Sequence, residues 1–196
     1  MNDQAPVTPA VAFPDDITIT GLGLILREWT DADVPVMTEL FNDPDVDRFT
    51  PLHAPFDLVA AHAYLNTARR TRAEGHRLQL AITTDGRTPQ GEILLFHARA
   101  DNGGLIDATA ELAYAIGPRH RHQRLAARAV QLITDYAYTT LHFATVVLRI
   151  AAANTASTAV ARTTGFHLTE GPPLTIEGAR GPLLTWRHHR STGRNP

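Results

Sequence analysis

Cysteine is absent from this sequence. Disulfide bonds, thiolate metal sites and cysteine nucleophiles are therefore excluded. Lysine is absent too, because all 18 basic residues are arginine, and a Schiff base on a lysine side chain is excluded with it. Apolar runs such as residues 22–26 are too short to cross a bilayer. No basic segment followed by an apolar stretch opens the chain, so we expect no signal peptide, no membrane association and a cytoplasmic protein.

A strong net charge is also missing. The formal net charge is -2 over 196 residues, which provides no general attraction to nucleic acid, and we expect no nucleic-acid partner. The hydrophobic content of 43% is ordinary for a globular chain. Prolines, small residues and acids dominate residues 1–16, which we predict to be a flexible tail. Residues 17–190 have the length of a single domain.

The hydrophobic patterning predicts an α/β fold built on a mixed sheet, in the order β-α-α-β-β-β-α-β-α-β-β. A meander of strands comes first and β-α-β units follow, so we expect helices on both faces of the sheet. The predicted strands are residues 17–29, 77–83, 91–99, 109–116, 144–151, 167–176 and 182–189. The predicted helices are residues 31–41, 56–74, 122–138 and 154–165.

Four segments of the sequence form a recognisable series. They read LILREWTDADVPVMTELFNDPDV (residues 24–46), AELAYAIGP (110–118), RHQRLAARAV (121–130) and NTASTAVARTTGFHLTEG (154–171). In this order they resemble the GNAT superfamily of acyl-CoA-dependent N-acyltransferases, and in particular its ribosomal-protein (alanine) N-acetyltransferase branch. The resemblance covers roughly residues 17–189. It implies the GNAT fold, acetyl-CoA as co-substrate and an amine as acceptor.

The resemblance implies a phosphate-binding loop before the long central helix. Orphan amides and the positive end of a helix dipole attract anions there. Two positions that are glycine in the family are His122 and Arg124 here, whereas Ala126 keeps the small residue at the end of the pattern. The implied acetyl-CoA-binding residues are Ile116, Arg121, His122, Gln123, Arg124, Leu125, Ala126, Ala127 and Asn154.

Arginines mark this predicted helix start. Arg121, Arg124 and Arg128 have the spacing of one helix face, and cations near a helix N-terminus are unfavourable unless an anion compensates them. Arginine suits phosphate, so the face is either an anion site or a solvated basic surface.

Two residues are candidates for the chemistry. Attack on a thioester requires a neutral amine, and a positioned carboxylate can take its proton. The resemblance places Glu111 where some members carry a glutamate base; the alternative is an ordinary strand-edge glutamate. It places Ser157 near the thioester sulfur, and the alternative is a surface serine. The tyrosine that many members use as an acid is Ala161 here.

The resemblance also implies an acceptor wall formed by Trp29, Phe49 and His53, although core packing explains the first two equally well. Ten histidines do not make a metal site, because His120–His122 and His188–His189 lack a spacing that shares one helix face, and we expect no metal. Ser157, His167 and Glu170 contain the residue types of a nucleophilic triad, but no nucleophile-elbow pattern surrounds the serine.

The sequence therefore predicts an N-acetyltransferase that moves the acetyl group from acetyl-CoA to a primary amine by direct attack. The acceptor is a small-molecule or peptide amine, and a homodimer is compatible with the resemblance. Two alternatives stay open. One is a GNAT fold repurposed for another acyl donor or reaction in a biosynthetic pathway, and the other is a non-catalytic binding or dimerisation module.

Overall fold

The computed structural model describes residues 13–14, 16–99, 104–175 and 179–190. The strands are β1 (Thr18–Gly21), β2 (Leu24–Glu28), β3 (Arg77–Thr83), β4 (Gly91–Arg99), β5 (Leu105–Ile116), β6 (Thr145–Ala151), β7 (His167–Leu168) and β8 (Leu183–His189). The helices are α1 (Val34–Phe41), α2 (Pro44–Phe49), α3 (Leu58–Ala73), α4 (Leu125–Thr139) and α5 (Thr155–Thr163). The predicted tail falls mostly outside the described residues and stays a prediction.

The strands form one mixed sheet in the order β1-β2-β3-β4-β5-β6-β8-β7. The β5–β6 pair is parallel, and every other neighbouring pair is antiparallel. Helix α4 connects the two parallel strands, as a crossover connection must. The predicted mixed α/β sheet is therefore confirmed.

Helices cover both faces of the sheet, as predicted. One apolar cluster joins strand residues such as Leu80 and Leu112 to Leu125 and Ile133 of α4. The other joins Ala81, on the opposite face, to side chains of α1 and α3. The two clusters lie on opposite faces of the sheet, because successive side chains along a strand point to opposite faces.

Near the N-terminus one prediction was wrong and another was incomplete. The predicted strand over residues 17–29 is a hairpin of β1 and β2, because Leu22 (φ 52°) and Gly23 (φ 69°) adopt left-handed turn conformations. The helix stop predicted near Pro44 is confirmed, since α1 ends at Phe41, but α2, which starts at Pro44, was missed. Asp43 caps α2 by accepting from the backbone N–H groups of Asp45 and Val46, and proline is favoured in the first turn of a helix.

Two later elements are also shorter than predicted. Helix α4 begins at Leu125 instead of residue 122, because Arg124 is left-handed (φ 56°, ψ 20°) and cannot continue a right-handed helix. The strand predicted over residues 167–176 pairs with β8 over only His167 and Leu168. The remaining chain to Thr175 forms a loop that contacts β8 again through an isolated bridge between Leu174 and Leu183.

Candidate active site

The parallel strands β5 and β6 diverge in the middle of the sheet. Their pairing runs from Thr109 opposite Thr145 to Leu112 opposite Leu148. Beyond these residues β5 continues to Ile116 and β6 to Ala151 without pairing to each other. On its other side β5 stays paired with β4 up to Ile116. The divergence therefore opens a cleft along residues 113–116, and unpaired backbone groups there are available to an extended ligand.

The loop that leads from β5 to α4 keeps a glycine-like backbone without glycine. His122 and Arg124, the two residues at the family's glycine positions, both have left-handed φ angles of 63° and 56°. Glycine adopts this conformation most easily, and other residues do so at a cost. The described loop thus has the backbone shape that the missing glycines would favour, built with larger side chains.

Among the described residues, the start of α4 has neither a capping side chain nor an acid in its first turn that would compete with an anion. The side chains of His122, Gln123 and Arg124 are exposed, Ala126 and Ala127 are half-buried, and Leu125 is buried in the core. Leu125 can therefore serve a ligand through its backbone amide alone, whereas the three exposed side chains can reach a bound group.

The predicted arginine face was wrong in one respect, because Arg121 does not belong to α4. Its guanidinium lies 2.5 Å from Asp43 and 3.0 Å from Asp45, at the start of α2. Its Nε also donates to the carbonyl of Ile116 at 3.3 Å. Arg128 donates to the carbonyls of Leu22 and Gln123. Of the three residues, Arg124 is exposed at the N-cap of α4, whereas Arg121 and Arg128 are half-buried.

Glu111 lies at the position where the strands begin to diverge, opposite Val147 on β6. Its side chain is buried, and its Oε2 lies 3.0 Å from a guanidinium nitrogen of Arg149. Burial raises the pKa of Glu111 to about 7, against the opposing effects of Arg149 and Arg77. A carboxylate with a pKa in this range is suited to exchange protons at neutral pH.

Ser157 and Asn154 occupy the first turn of α5, on the other side of the cleft. The Asn154 side chain accepts from the backbone N–H of Ser157 at 3.0 Å, so Asn154 caps this helix. The Tyr114 hydroxyl lies 3.4 Å from the Ser157 carbonyl oxygen. Burial raises the pKa of Tyr114 to about 12. The contact between the Tyr114 hydroxyl and the Ser157 carbonyl joins the start of α5 to β5.

Sequence reasoning missed Tyr114 and Arg149. An aromatic residue that alternates with small ones in Ala113-Tyr114-Ala115 was the available signal for the first. No local pattern marks Arg149, whose relation to Glu111 arises from the pairing of β5 with β6.

The three predicted acceptor-wall residues lie in different surroundings. Trp29 is buried and packs edge-on against Phe41, with ring centroids 6.1 Å apart. Phe49 is half-buried at the end of α2, and His53 is exposed in the loop that follows. Arg180 contacts His53 Nδ1 at 2.7 Å and Asp47 at 2.8 Å. Core packing thus explains the position of Trp29. Phe49 and His53 lie beside the contacts that Arg180 of the β7–β8 loop makes with α2 and the loop after it.

A cavity of about 330 Å³ opens on the Glu111 face of the sheet. Strands β5, β6 and β8 form its floor, and the loop after β7 forms its rim. Its lining is Ile106, Thr109, Thr145, Val147, Arg149, Thr169, Gly171, Pro172, Leu174, Thr185 and Arg187.

Neither a metal centre nor a membrane span is found in the part of the chain that the structure describes. No group of three or more histidine, aspartate or glutamate side chains is arranged to hold a metal ion there. None of the described helices has both the length and the apolar character needed to cross a bilayer.

The family model of the acetyltransferase (GNAT) domain matches residues 23–167 of the chain. Fold and site thus define the class of protein as an acetyltransferase. The chain belongs to the GNAT acetyltransferase family. A search of the curated proteins finds no match.

Solved structures share the fold at low sequence identity. RimJ of Mycobacterium smegmatis, solved with a CoA disulfide, is 16% identical, with 89% of this chain and 86% of that chain covered and a TM-score of 0.71. An acetyltransferase of Agrobacterium tumefaciens is 23% identical, with coverage of 91% and 97% and a TM-score of 0.69. Spermidine N-acetyltransferase of Vibrio cholerae, solved with CoA and spermine, is 16% identical, with coverage of 87% and 98% and a TM-score of 0.69.

Proposed function

We propose that this protein transfers the acetyl group of acetyl-CoA directly to a primary amine, as an N-acetyltransferase of the ribosomal-protein-like branch. The observation that carries the proposal is the position of Glu111, a buried carboxylate beside the point where β5 and β6 diverge. The solved structures with bound CoA or CoA disulfide support the choice of donor by their shared fold.

The donor lies in the cleft along residues 113–116, with its phosphates at the start of α4. Backbone amides from His122 to Ala127 receive the phosphates, assisted by the positive end of the helix dipole. The left-handed conformations of His122 and Arg124 support this role, since they give the loop the backbone shape that glycine gives it elsewhere. Arg124 adds a guanidinium that is free to approach a phosphate. Asn154 lies where the pantetheine arm passes the start of α5.

Glu111 removes the proton from the acceptor ammonium, directly or through a water molecule. The amine lone pair then forms a bond to the thioester carbonyl carbon, and the bond from that carbon to sulfur breaks. The leaving thiolate accepts a hydrogen bond from Ser157, which is half-buried in the first turn of α5. The proton that the attacking nitrogen loses on forming the amide goes to this thiolate, directly or through the serine hydroxyl, which is thereby restored. The acetylated amine and CoA leave without a covalent enzyme intermediate.

The proposal is tested by calorimetric titration with acetyl-CoA and by release of CoA thiol with a panel of amines. The absence of cysteine and lysine removes protein thiols and side-chain amines from both readouts. We expect wild-type protein to bind acetyl-CoA and to release thiol when an acceptor is present. Glu111→Gln is expected to lose at least about tenfold in turnover, and Ser157→Ala somewhat less, because one positioned proton-transfer group contributes roughly 10²–10⁴. Both variants should still bind acetyl-CoA.

A matched control is Glu39→Gln, because Glu39 is exposed on α1 and has no role in the proposed chemistry; its ion pair, at 4.0 Å, is with the exposed Arg119. If Glu111→Gln and Ser157→Ala both turn over as fast as this control, the proposed residue roles are wrong. If the wild-type protein binds no acetyl-CoA, the donor itself is wrong. The repurposed fold, with another thioester, or the binding module then replaces the present proposal.

A further inference from the structure

The cavity beside Glu111 has an unbalanced lining. It contains two arginines, Arg149 and Arg187, and none of its described lining residues is acidic. Within the described residues, the carboxylate in contact with these arginines is that of Glu111, 3.0 Å from Arg149. Counting the described lining residues together with Glu111, the cavity has two cations and one anion, which is a net positive charge.

Arg149 is not fully satisfied by the protein. Its side chain is 4% exposed. One terminal nitrogen contacts Glu111, and the other donates to the carbonyl of Arg99. Its Nε is buried and has no hydrogen-bond partner. Burying a polar group without a hydrogen-bond partner costs folding free energy. A guanidinium donor that lines a cavity is well suited to bind an anionic group of a ligand.

We propose that the acceptor amine carries an anionic group, a carboxylate or a phosphate, which binds Arg149 and Arg187 while the amine lies at Glu111. This inference rests on the proposed acetyl transfer and names the acceptor class for that site. An amino acid carries both groups that this arrangement would bind. Glu111 favours its ammonium group, and the two arginines favour its carboxylate.

The rest of the lining defines the remaining part of the acceptor. Ile106, Val147, Pro172 and Leu174 provide apolar surface, and four threonines provide hydroxyl groups. The volume of about 330 Å³ is at the small end of the range for ligand pockets. An amino acid with an aliphatic side chain suits this lining. A polyamine does not, because a second ammonium would meet two guanidinium groups.

The test compares acceptors that differ in one group. Leucine, leucinamide and isoamylamine share an aliphatic body, but only leucine carries a carboxylate. Phosphoethanolamine and ethanolamine form the corresponding phosphate pair. We expect kcat/KM for leucine to exceed that for leucinamide by about tenfold or more, as the loss of a charged hydrogen bond implies. A preference confined to the phosphate pair would identify phosphate as the source of the anion.

A charge-reversal variant then tests whether Arg187 recognises the anionic group of the acceptor or only supports the fold. Arg187 is exposed on β8, so Arg187→Glu leaves the core intact and reverses one charge of the cavity. We expect the preference to shift from leucine towards leucinamide by at least about tenfold. Arg190→Glu, an equal change at an exposed arginine just beyond β8 that does not line the cavity, should leave the ratio unchanged.

A binding measurement keeps this inference separate from the proposed function. N-acetylleucine and N-acetylleucinamide resemble products and need no donor, so calorimetry can compare them directly. Binding of the carboxylate compound alone, weakened in Arg187→Glu, supports the anion site even if acetyl-CoA fails to bind. Equal binding of both compounds, binding of neither, or turnover that ignores the anionic group in both acceptor series overturns the anionic acceptor while leaving acetyl transfer to stand on its own test.

Discussion

A guanidinium nitrogen of Arg121 lies 2.5 Å from the carboxylate of Asp43, and this ion pair joins the loop before α4 to the start of α2. Asp43 also caps α2 through the backbone N–H groups of Asp45 and Val46. One carboxylate thus caps α2 and holds the loop before α4 beside it. Asp47 of α2 meets Arg180 from the β7–β8 loop at 2.8 Å, so α2 connects the predicted donor site to the predicted acceptor wall.

Breaking this ion pair should destabilise the protein. In a double-mutant cycle with Arg121→Ala and Asp43→Asn, which keeps an acceptor for the cap, we expect a coupling energy of about 1–2 kcal/mol. The same cycle with Asp45→Asn is the control, since the Asp45 side chain is 57% exposed and exposed pairs contribute about 0.2–1 kcal/mol. Urea unfolding measures both. Equal coupling in the two cycles would contradict the importance of Asp43.

The left-handed conformation of Arg124 predicts that glycine is more stabilising than alanine at position 124, whereas alanine should be more stabilising than glycine inside a helix. Arg124→Gly should be more stable than Arg124→Ala by about 1 kcal/mol, because both remove the charge but only glycine relieves the positive φ. At Arg70, within α3, the order should reverse, with alanine favoured by about 1 kcal/mol. Thermal unfolding of the four variants measures both differences. Alanine equal to or better than glycine at position 124 would rule out the left-handed loop.

The pKa of Glu111, raised to about 7 by burial, predicts the pH dependence of turnover. A base must be deprotonated, so kcat/KM should increase as the pH rises through about 7 and level off above it. Glu111→Gln should lack this limb of the profile, apart from any ionisation of the acceptor amine itself. The profile is measured with an acceptor whose own pKa lies well above the range. An unchanged limb in the variant would assign the titration to another group.

Glu92 should contribute to a second pH effect, on stability. It is fully buried on β4 and accepts hydrogen bonds from Tyr64 at 2.7 Å and Gln79 at 2.8 Å. Burial nevertheless raises the pKa of Glu92 to about 7, against the lowering effect of these donors. A carboxyl group whose folded pKa exceeds its unfolded value of 4.5 stabilises the fold most below pH 4.5, and this contribution is lost as the pH rises through about 7.

The free energy of unfolding should therefore decrease between pH 5 and pH 8. Because Glu111 acts in the same direction, we expect Glu92→Gln to remove part of the decrease, on the order of 1–3 kcal/mol. Denaturant unfolding at both pH values, with Glu39→Gln as the exposed control, provides the measurement. A slope that is the same in wild type and Glu92→Gln would show that Glu92 is ionised in the folded protein at both pH values.

The sequence predicted the mixed sheet, because hydrophobic periodicity and the family's motifs are local signals, whereas the position of the donor loop stays a prediction. The sequence failed to predict that Arg124 lies outside α4, since the periodicity of residues 122–138 continues through a left-handed residue that no composition rule favours. The Asp43–Pro44 pair was interpreted as a helix stop, which is correct for α1, but the same pair also starts α2. Both meanings are local, and the prediction used only one of them.

Long-range ion pairs were beyond the sequence for a different reason. Arg121 and Asp43 are 78 residues apart, and Arg149 reaches Glu111 through the pairing of two strands. Neither contact has a spacing that a single sequence reveals. The charge of the cavity beside Glu111 depends on such contacts, so the sequence left the kind of acceptor open although it predicted an amine.

Each of these ion pairs uses a guanidinium, because the chain contains no lysine. A guanidinium stays protonated to beyond pH 12, whereas a lysine ammonium begins to lose its charge near pH 10. The pairs from Arg121 to Asp43 and from Arg149 to Glu111 therefore keep their cationic partner in alkaline solution, where a growing share of alkylamines is free base. The ion pairs of the protein persist at the alkaline pH values at which such amines are nucleophilic without a catalytic base.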